Sequence, residues 1–372
     1  MQTAPPPRPP AIYSPAPREV SFGRIEGRAG AGTTEIRVRI DGRLVATKPV
    51  SRRRFVVVVP LPARDVTLRV SAVDARGRHA STLVGPVFGL PNEVAPYAGP
   101  VPPLRGYEDA ALAWQVRAMA RRFPGSCSFF VQDLRTGAGA AWNARARFPA
   151  ASTLKLAIAV ELMRELRGVP APGSRLAALL WRMLVYSDDR AANELLEVIG
   201  GSTSDGAARV NTMMRVFGLA DSNMYGGYLI EDSLMRRAIP LEIVSRPSFI
   251  GKYTTAWDLA RLERSLHLAA GARGALIWRF RGAFTPSDAR YLLYLLAHAR
   301  TRGGLNALRG GGVTLLHKAG WTSKVRHDTG LLYSRRGAFV VIVLTWNGRG
   351  VGSASDLLAT RIARAASGRF LK

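Results

Sequence analysis

The apolar pattern of this chain changes character once, at a proline-rich stretch, and that change restricts the fold more than any other feature. Before it, Ile36, Val38 and Ile40 alternate with Arg37 and Arg39, and Asp41-Gly42 turns the chain into Arg43–Ala46. Phe55–Val59 is a continuous apolar strand closed by Pro60 and Pro62. Val66, Leu68, Val70 and Ala72 then alternate with Thr67, Arg69 and Ser71, and Gly77 turns into Ser81–Phe88. Alternation with period two gives a strand one buried and one wet face. Short strands at this spacing, with no helix between them, predict a small all-β sandwich over residues 20–94. Residues 1–19 are proline-rich and read as an extended, poorly ordered leader, and residues 95–106, with Pro96, Gly99, Pro100, Pro102 and Pro103, as a linker.

Beyond the linker the period shifts toward that of helices. Tyr107–Phe123 carries Leu112, Val116 and Met119 on one helical face. Ser128–Asp133 and Gly139–Asn143 read as a strand hairpin, followed by helical stretches around Leu176–Tyr186, Ala191–Ile199 and Gly206–Phe217. Gly218–Tyr253 is long and only weakly periodic. Thr254–His267 and Ser287–Ala299 read as helices, Thr314–Trp321, His327–Ser334 and Phe339–Trp346 as strands, and Ser355–Ala366 as a closing helix. Strands at both ends with helices between them predict an α+β domain over residues 107–372, its terminal segments sharing one antiparallel sheet.

Composition removes several classes of function. The chain has 372 residues and a net charge of +27, yet its arginines are spread over both halves and no basic helix or RNA-binding signature gathers them. A nucleic-acid partner is therefore not expected, while the charge leaves an anionic cell-wall polymer open as a partner. Cys127 is the only cysteine, so it is expected to pack as a small hydrophobe, and His79, His267, His298, His317 and His327 lack paired ligand spacing. With no phosphate-binding glycine loop either, neither a metal nor another cofactor is expected. No apolar run reaches the roughly 20 residues of a membrane span. The first ten residues, Met-Gln-Thr-Ala-Pro-Pro-Pro-Arg-Pro-Pro, lack the apolar core of an export signal.

The chemistry concentrates in Phe148–Val160. Ser152 and Lys155 stand three residues apart where Pro149 and small residues open an apolar, helix-forming run. Such spacing puts both on one face, so the amine can reach the hydroxyl. A serine hydroxyl needs a base to become a nucleophile, and a desolvated lysine can be one, whereas arginine stays charged. In an arginine-rich chain lysine occurs only at 48, 155, 252, 318, 324 and 372. Two more motifs follow, Tyr186-Ser187-Asp188-Asp189-Arg190-Ala191-Ala192-Asn193 and His317-Lys318-Ala319-Gly320-Trp321-Thr322. Read alone, Ser187 could be a helix N-cap and Lys318 an edge-strand lysine; Asp188 reads as structural.

Together the three motifs, in this order, resemble the S-x-x-K, S-D-N and K-T-G signatures of class A serine β-lactamases and penicillin-binding proteins. Asp133-Leu-Arg-Thr-Gly137, Tyr253-Thr-Thr-Ala-Trp-Asp-Leu-Ala260 and Val325-Arg-His-Asp-Thr-Gly330 add to the likeness, which runs from about Tyr107 to the C-terminus. It leaves the sandwich, immunoglobulin-like in kind, with a spacing or binding role. The resemblance implies Ser152 as acylated nucleophile and Lys155 as its proton acceptor. It makes Ser187 the proton shuttle and Lys318 the cation holding Ser187 and the substrate carboxylate. Backbone N–H groups of Ser152 and Trp321 would form the oxyanion hole, with Asp189, Gly320, Thr322 and Arg326 contacting substrate. The implied substrates are β-lactams or D-alanyl peptides of peptidoglycan, in an extracytoplasmic setting; a non-catalytic wall-binding protein is the alternative.

Three departures bear on substrate. Asp189 stands where the family has Asn, and a carboxylate accepts where an amide can donate; it would also raise the Lys155 pKa. Ala319 replaces a hydroxyl residue, a loss Thr322 or Ser323 could offset. Gly218–Tyr253 lacks the family's E-x-x-L-N pattern, leaving Glu231 or Asp232 as the candidate deacylation base.

Overall fold

The computed structural model describes residues 7–228 and 251–372, and the chain divides into two units, Met1–Ala95 and Pro96–Lys372. The first unit is all β: β1 (Ala11–Ser14), β2 (Glu19–Ser21), β3 (Arg24–Arg28), β4 (Thr33–Ile40), β5 (Arg43–Pro49), β6 (Arg54–Val58), β7 (Asp65–Asp74) and β8 (His79–Gly89). They form one sheet in the order β1-β3-β6 and a second in the order β2-β8-β7-β4-β5, with β2 parallel to β8, the two-sheet plan of an immunoglobulin-like sandwich. Asp41 and Gly42 both take positive φ, 46° and 87°, as a two-residue turn between right-twisted strands requires. Ile25, Ile36, Val38, Phe55, Val57, Leu68, Val70 and Val84 fill the space between the sheets, each contributing about 1.5–3 kcal/mol by leaving water.

The expected leader is shorter than residues 1–19. Proline limits helix but not extended backbone, and here Ala11–Ser14 pairs with Gly27 and Arg28 while Glu19–Ser21 pairs with Val87–Gly89. Residues 96–106 lie along the second unit rather than acting as a free linker. Carbonyls in this stretch take hydrogen bonds from the second unit: Arg264 donates to Pro102, Arg273 to Ala98 and Gly99, and Gln132 to Pro103 and Leu104.

In the second unit β9 (Tyr107–Glu108) precedes α1 (Ala110–Arg121), whose N-cap Asp109 accepts from the Leu112 N–H at 3.1 Å. Next come β10 (Ser126–Asp133), β11 (Ala138–Trp142) and β12 (Phe148–Pro149). The helical part follows: α2 (Lys155–Leu166), α3 (Arg175–Val185), α4 (Asp189–Gly200) and α5 (Thr203–Phe217). The chain continues with β13 (Tyr253–Thr254), α6 (Ala256–Ala270), α7 (Ala275–Arg279), α8 (Pro286–Ala297), β14 (Thr314–Trp321), β15 (Arg326–Ser334), β16 (Gly337–Trp346) and α9 (Ser353–Phe370). The main sheet has the order β14-β15-β16-β10-β11-β9, so the two terminal segments do join in one sheet, antiparallel throughout except for the short β9. Helices α1 and α9 cover one face and α6 the other. Both faces being covered, β14 to β16 are buried almost without alternation, which is why Phe339–Leu344 is apolar at every position. Among the described residues no helix is long and apolar enough to cross a membrane.

Candidate active site

Ser152 lies in a 3-10 turn, Ala151–Leu154, that runs directly into α2, so Lys155 is the first residue of the α-helix. Ala151 holds a φ of 45°, a left-handed conformation that costs a non-glycine residue about 1 kcal/mol or more and persists only where its surroundings enforce it. The enforcing neighbour is β14. A Cβ added to Gly320 would stand 2.8 Å from the Ser152 backbone nitrogen and 3.1 Å from that of Thr153, so the strand can approach this turn only with glycine there. The backbone N–H of Ser152 thus sits beside the strand segment that carries Trp321, the other predicted oxyanion donor.

Ser187 occupies the bend between α3 and α4, with a φ of 62°. The N-cap of α4 is Asp188, which accepts from Ala191 N–H at 2.9 Å and pairs with Arg182 at 2.6 Å. Capping is therefore done without Ser187, and its hydroxyl is left to meet the Lys318 ammonium at 2.8 Å. Lys155 donates to the Ser187 carbonyl at 2.5 Å, approaches its hydroxyl at 3.5 Å, and pairs with Asp189 at 2.5 Å. None of its hydrogen bonds among the described residues goes to Ser152.

Lys155 and Lys318 are both buried, whereas the Asp189 side chain is 45% exposed. Burial pushes the Lys155 pKa down, with Asp189 opposing through its hydrogen bond and charge. Burial and the Lys155 charge push Lys318 well down. Behind Lys318, its carbonyl accepts from the Thr329 hydroxyl at 3.0 Å, and its neighbour His317 pairs with Asp328 at 2.9 Å on the other face of the strand.

Thr322 and Arg326 are not brought to the serine by their own hydrogen bonds. The Thr322 hydroxyl accepts from Lys324 and Val325 N–H groups, both at 3.3 Å, shaping the β14–β15 turn, and Arg326 pairs with Asp356 of α9 at 2.7 Å. Glu231 and Asp232 lie outside the described residues. Cys127 is buried among apolar neighbours, as expected of a small hydrophobe, and burial pushes its thiol up to about 12.

Sequence reasoning passed over two residues at this site. Tyr228 and Lys252 flank the part of the weakly periodic segment that is not described. The Tyr228 ring lies 4.6 Å from the Lys155 ammonium and 4.9 Å from that of Lys252, and the Tyr228 N–H is held by Asn193 at 2.6 Å. The rarity of lysine was a usable signal for Lys252; nothing marked Tyr228. Nearby, Asn223 and Tyr253 exchange backbone hydrogen bonds at 2.8 and 3.1 Å, and β13 pairs with β12 just ahead of Ser152.

A serine at a turn pressed against a strand thus stands near two buried lysines and a second serine set between them, on an α+β fold. The sequence model of the β-lactamase enzyme family matches residues 111–168 and 170–370, and the chain belongs to that family. Among solved structures, a β-lactamase from Sphaerobacter thermophilus is 20% identical, with 70% of this chain and 97% of that one covered at a TM-score of 0.53. An ancestral class A β-lactamase is 21% identical over 70% of this chain and 100% of its own, at 0.55. PBP-A is 20% identical over 72% and 100%, also at 0.55. These likenesses establish the fold. No curated protein matches the sequence.

Proposed function

We propose that the second unit is a serine hydrolase that forms an acyl-enzyme on Ser152 from a β-lactam or a related amide or ester. The observation that carries this reading is the Ser187 hydroxyl set between two buried amines, 2.8 Å from Lys318 and 3.5 Å from Lys155, beside a serine whose backbone N–H faces β14. In the reaction the Ser152 hydroxyl attacks the acyl carbon as Lys155 takes its proton. The oxyanion accepts hydrogen bonds from the N–H groups of Ser152 and Trp321. Ser187 then passes a proton to the leaving nitrogen and regains one from Lys155, while Lys318 attracts the substrate carboxylate. The Asp189 pair ties up Lys155, and Ala319 offers no hydroxyl to that carboxylate. Both favour slow turnover, and with it D-alanyl peptides of peptidoglycan as the alternative acyl donor. An extracytoplasmic location belongs to this reading.

Intact-protein mass spectrometry after mixing with a penicillin tests it. The expected result is an adduct of the penicillin's mass that is absent in Ser152→Ala. Neither adduct nor turnover with penicillin, D-alanyl peptides or simple esters would overturn it in favour of a wall-binding protein.

A further inference from the structure

Lys252 belongs to no motif, yet its backbone and side chain both reach the site. Its carbonyl accepts from Ala150 N–H at 3.0 Å, two residues before Ser152, and its ammonium donates to the Gly227 carbonyl at 2.5 Å. Its amine and that of Lys155 lie over one ring, Tyr228, at 4.9 and 4.6 Å. Facing Lys155 are Asp188 and Asp189 at the start of α4, Ser187 before them, Lys318 from β14, and Tyr228 with Lys252 beyond it. Facing Lys252 are Asp189, Lys155 and Tyr228. One partly exposed carboxylate thus stands among three amines.

We propose that Lys252 is a positioning residue whose positive charge opposes the hold of Asp189 on Lys155 and so keeps the Lys155 proton transferable. The catalytic consequence rests on the acyl-transfer reading above; the coupling between the two amines does not. A positive charge near an ammonium favours its neutral form, the opposite of what Asp189 does. Burial pushes the Lys252 pKa down to about 8, Asp189 resisting and Lys155 adding to the fall. Lys252 is therefore still mostly charged near neutrality, where a base is needed, and loses this effect above that value. The Tyr228 face attracts cations and offsets part of the repulsion between the two amines.

With six lysines in the chain, ε-13C-lysine NMR reads the Lys155 titration directly and without substrate, its signal assigned by loss in Lys155→Met. In Lys252→Met and Lys252→Gln the Lys155 midpoint is expected to rise by about one pH unit. In Lys252→Arg, whose charge does not titrate, it stays near or below the wild-type value. Glutamine keeps an N–H for the Gly227 carbonyl, so it separates charge from that contact and remains informative should methionine fail to fold. A Lys155 midpoint unmoved in Lys252→Gln overturns the proposal. Where wild-type protein also acylates, the alkaline-rising limb of the acylation rate moves up with the same variants. An NMR shift as expected in a protein that never acylates would overturn the acyl-transfer reading and leave the role of Lys252 standing.

Discussion

The two units of this chain treat charge in opposite ways. Among the described residues of the sandwich, Glu19 is the one ionisable side chain that is fully buried; its arginines, such as Arg37, Arg39 and Arg69, alternate outward. The second unit buries Lys155, Glu161, Asp258, Glu263, Lys318 and Asp328 with several others. Burying an ion costs several kcal/mol unless partners compensate, so a fold acquires such groups against its stability. The sandwich core is thus almost wholly apolar, whereas the second unit holds desolvated ionisable groups that need partners.

The largest expected effect that would break this contrast concerns Gly320→Ala. Its added methyl would meet the Ser152 nitrogen at 2.8 Å and displace the strand from the turn, so penicillin acylation should fall by about 10²-fold, as for loss of one oxyanion donor. A rate within threefold of wild type would mean that this approach does not build the reacting geometry. Next in size, Leu68→Ala in the sandwich core should cost that unit about 2–5 kcal/mol in denaturant unfolding and leave acylation unchanged. A parallel loss of acylation would show that the units are not separable in function.

A smaller change is expected for Asp189→Asn. The carboxylate raises the Lys155 pKa, so its removal lets Lys155 lose its proton at lower pH. Stopped-flow acylation should be a few-fold faster near neutrality, roughly what a shift of half a pH unit or more gives, with its rising limb moved toward acid. An unmoved limb would separate Asp189 from the base altogether.

Much of the fold was legible because its signals are local. Asp41-Gly42 specifies a hairpin by backbone chemistry, and the strand Thr314–Trp321 was placed to the residue. The start of the chain misled because proline richness is the signature of both an extended coil and an extended edge strand; only the partners Gly27 and Val87 tell them apart. At the candidate site, Ser152, Lys155, Ser187 and Lys318 were singled out through spacing, and the fold brings Lys155, Ser187 and Lys318 together. The sequence offered Ser187 as a possible cap of α4; Asp188, read only as structural, takes that place. Lys252 and Tyr228 were not legible, since neither stands at a motif's spacing and both meet at Lys155 across a long stretch of sequence. Thr322 and Arg326 were assigned by position; the contacts of the Thr322 hydroxyl with Val325 N–H and of Arg326 with Asp356 could not be read from spacing.

The paired backbone of Asn223 and Tyr253 has a mechanical consequence. Because β13 also pairs with β12, Tyr253 is tied at once to Asn223 and to the strand that leads into the Ser152 turn. A displacement at Asn223 would thus be passed through backbone hydrogen bonds, rather than through side chains, to the residues just ahead of Ser152.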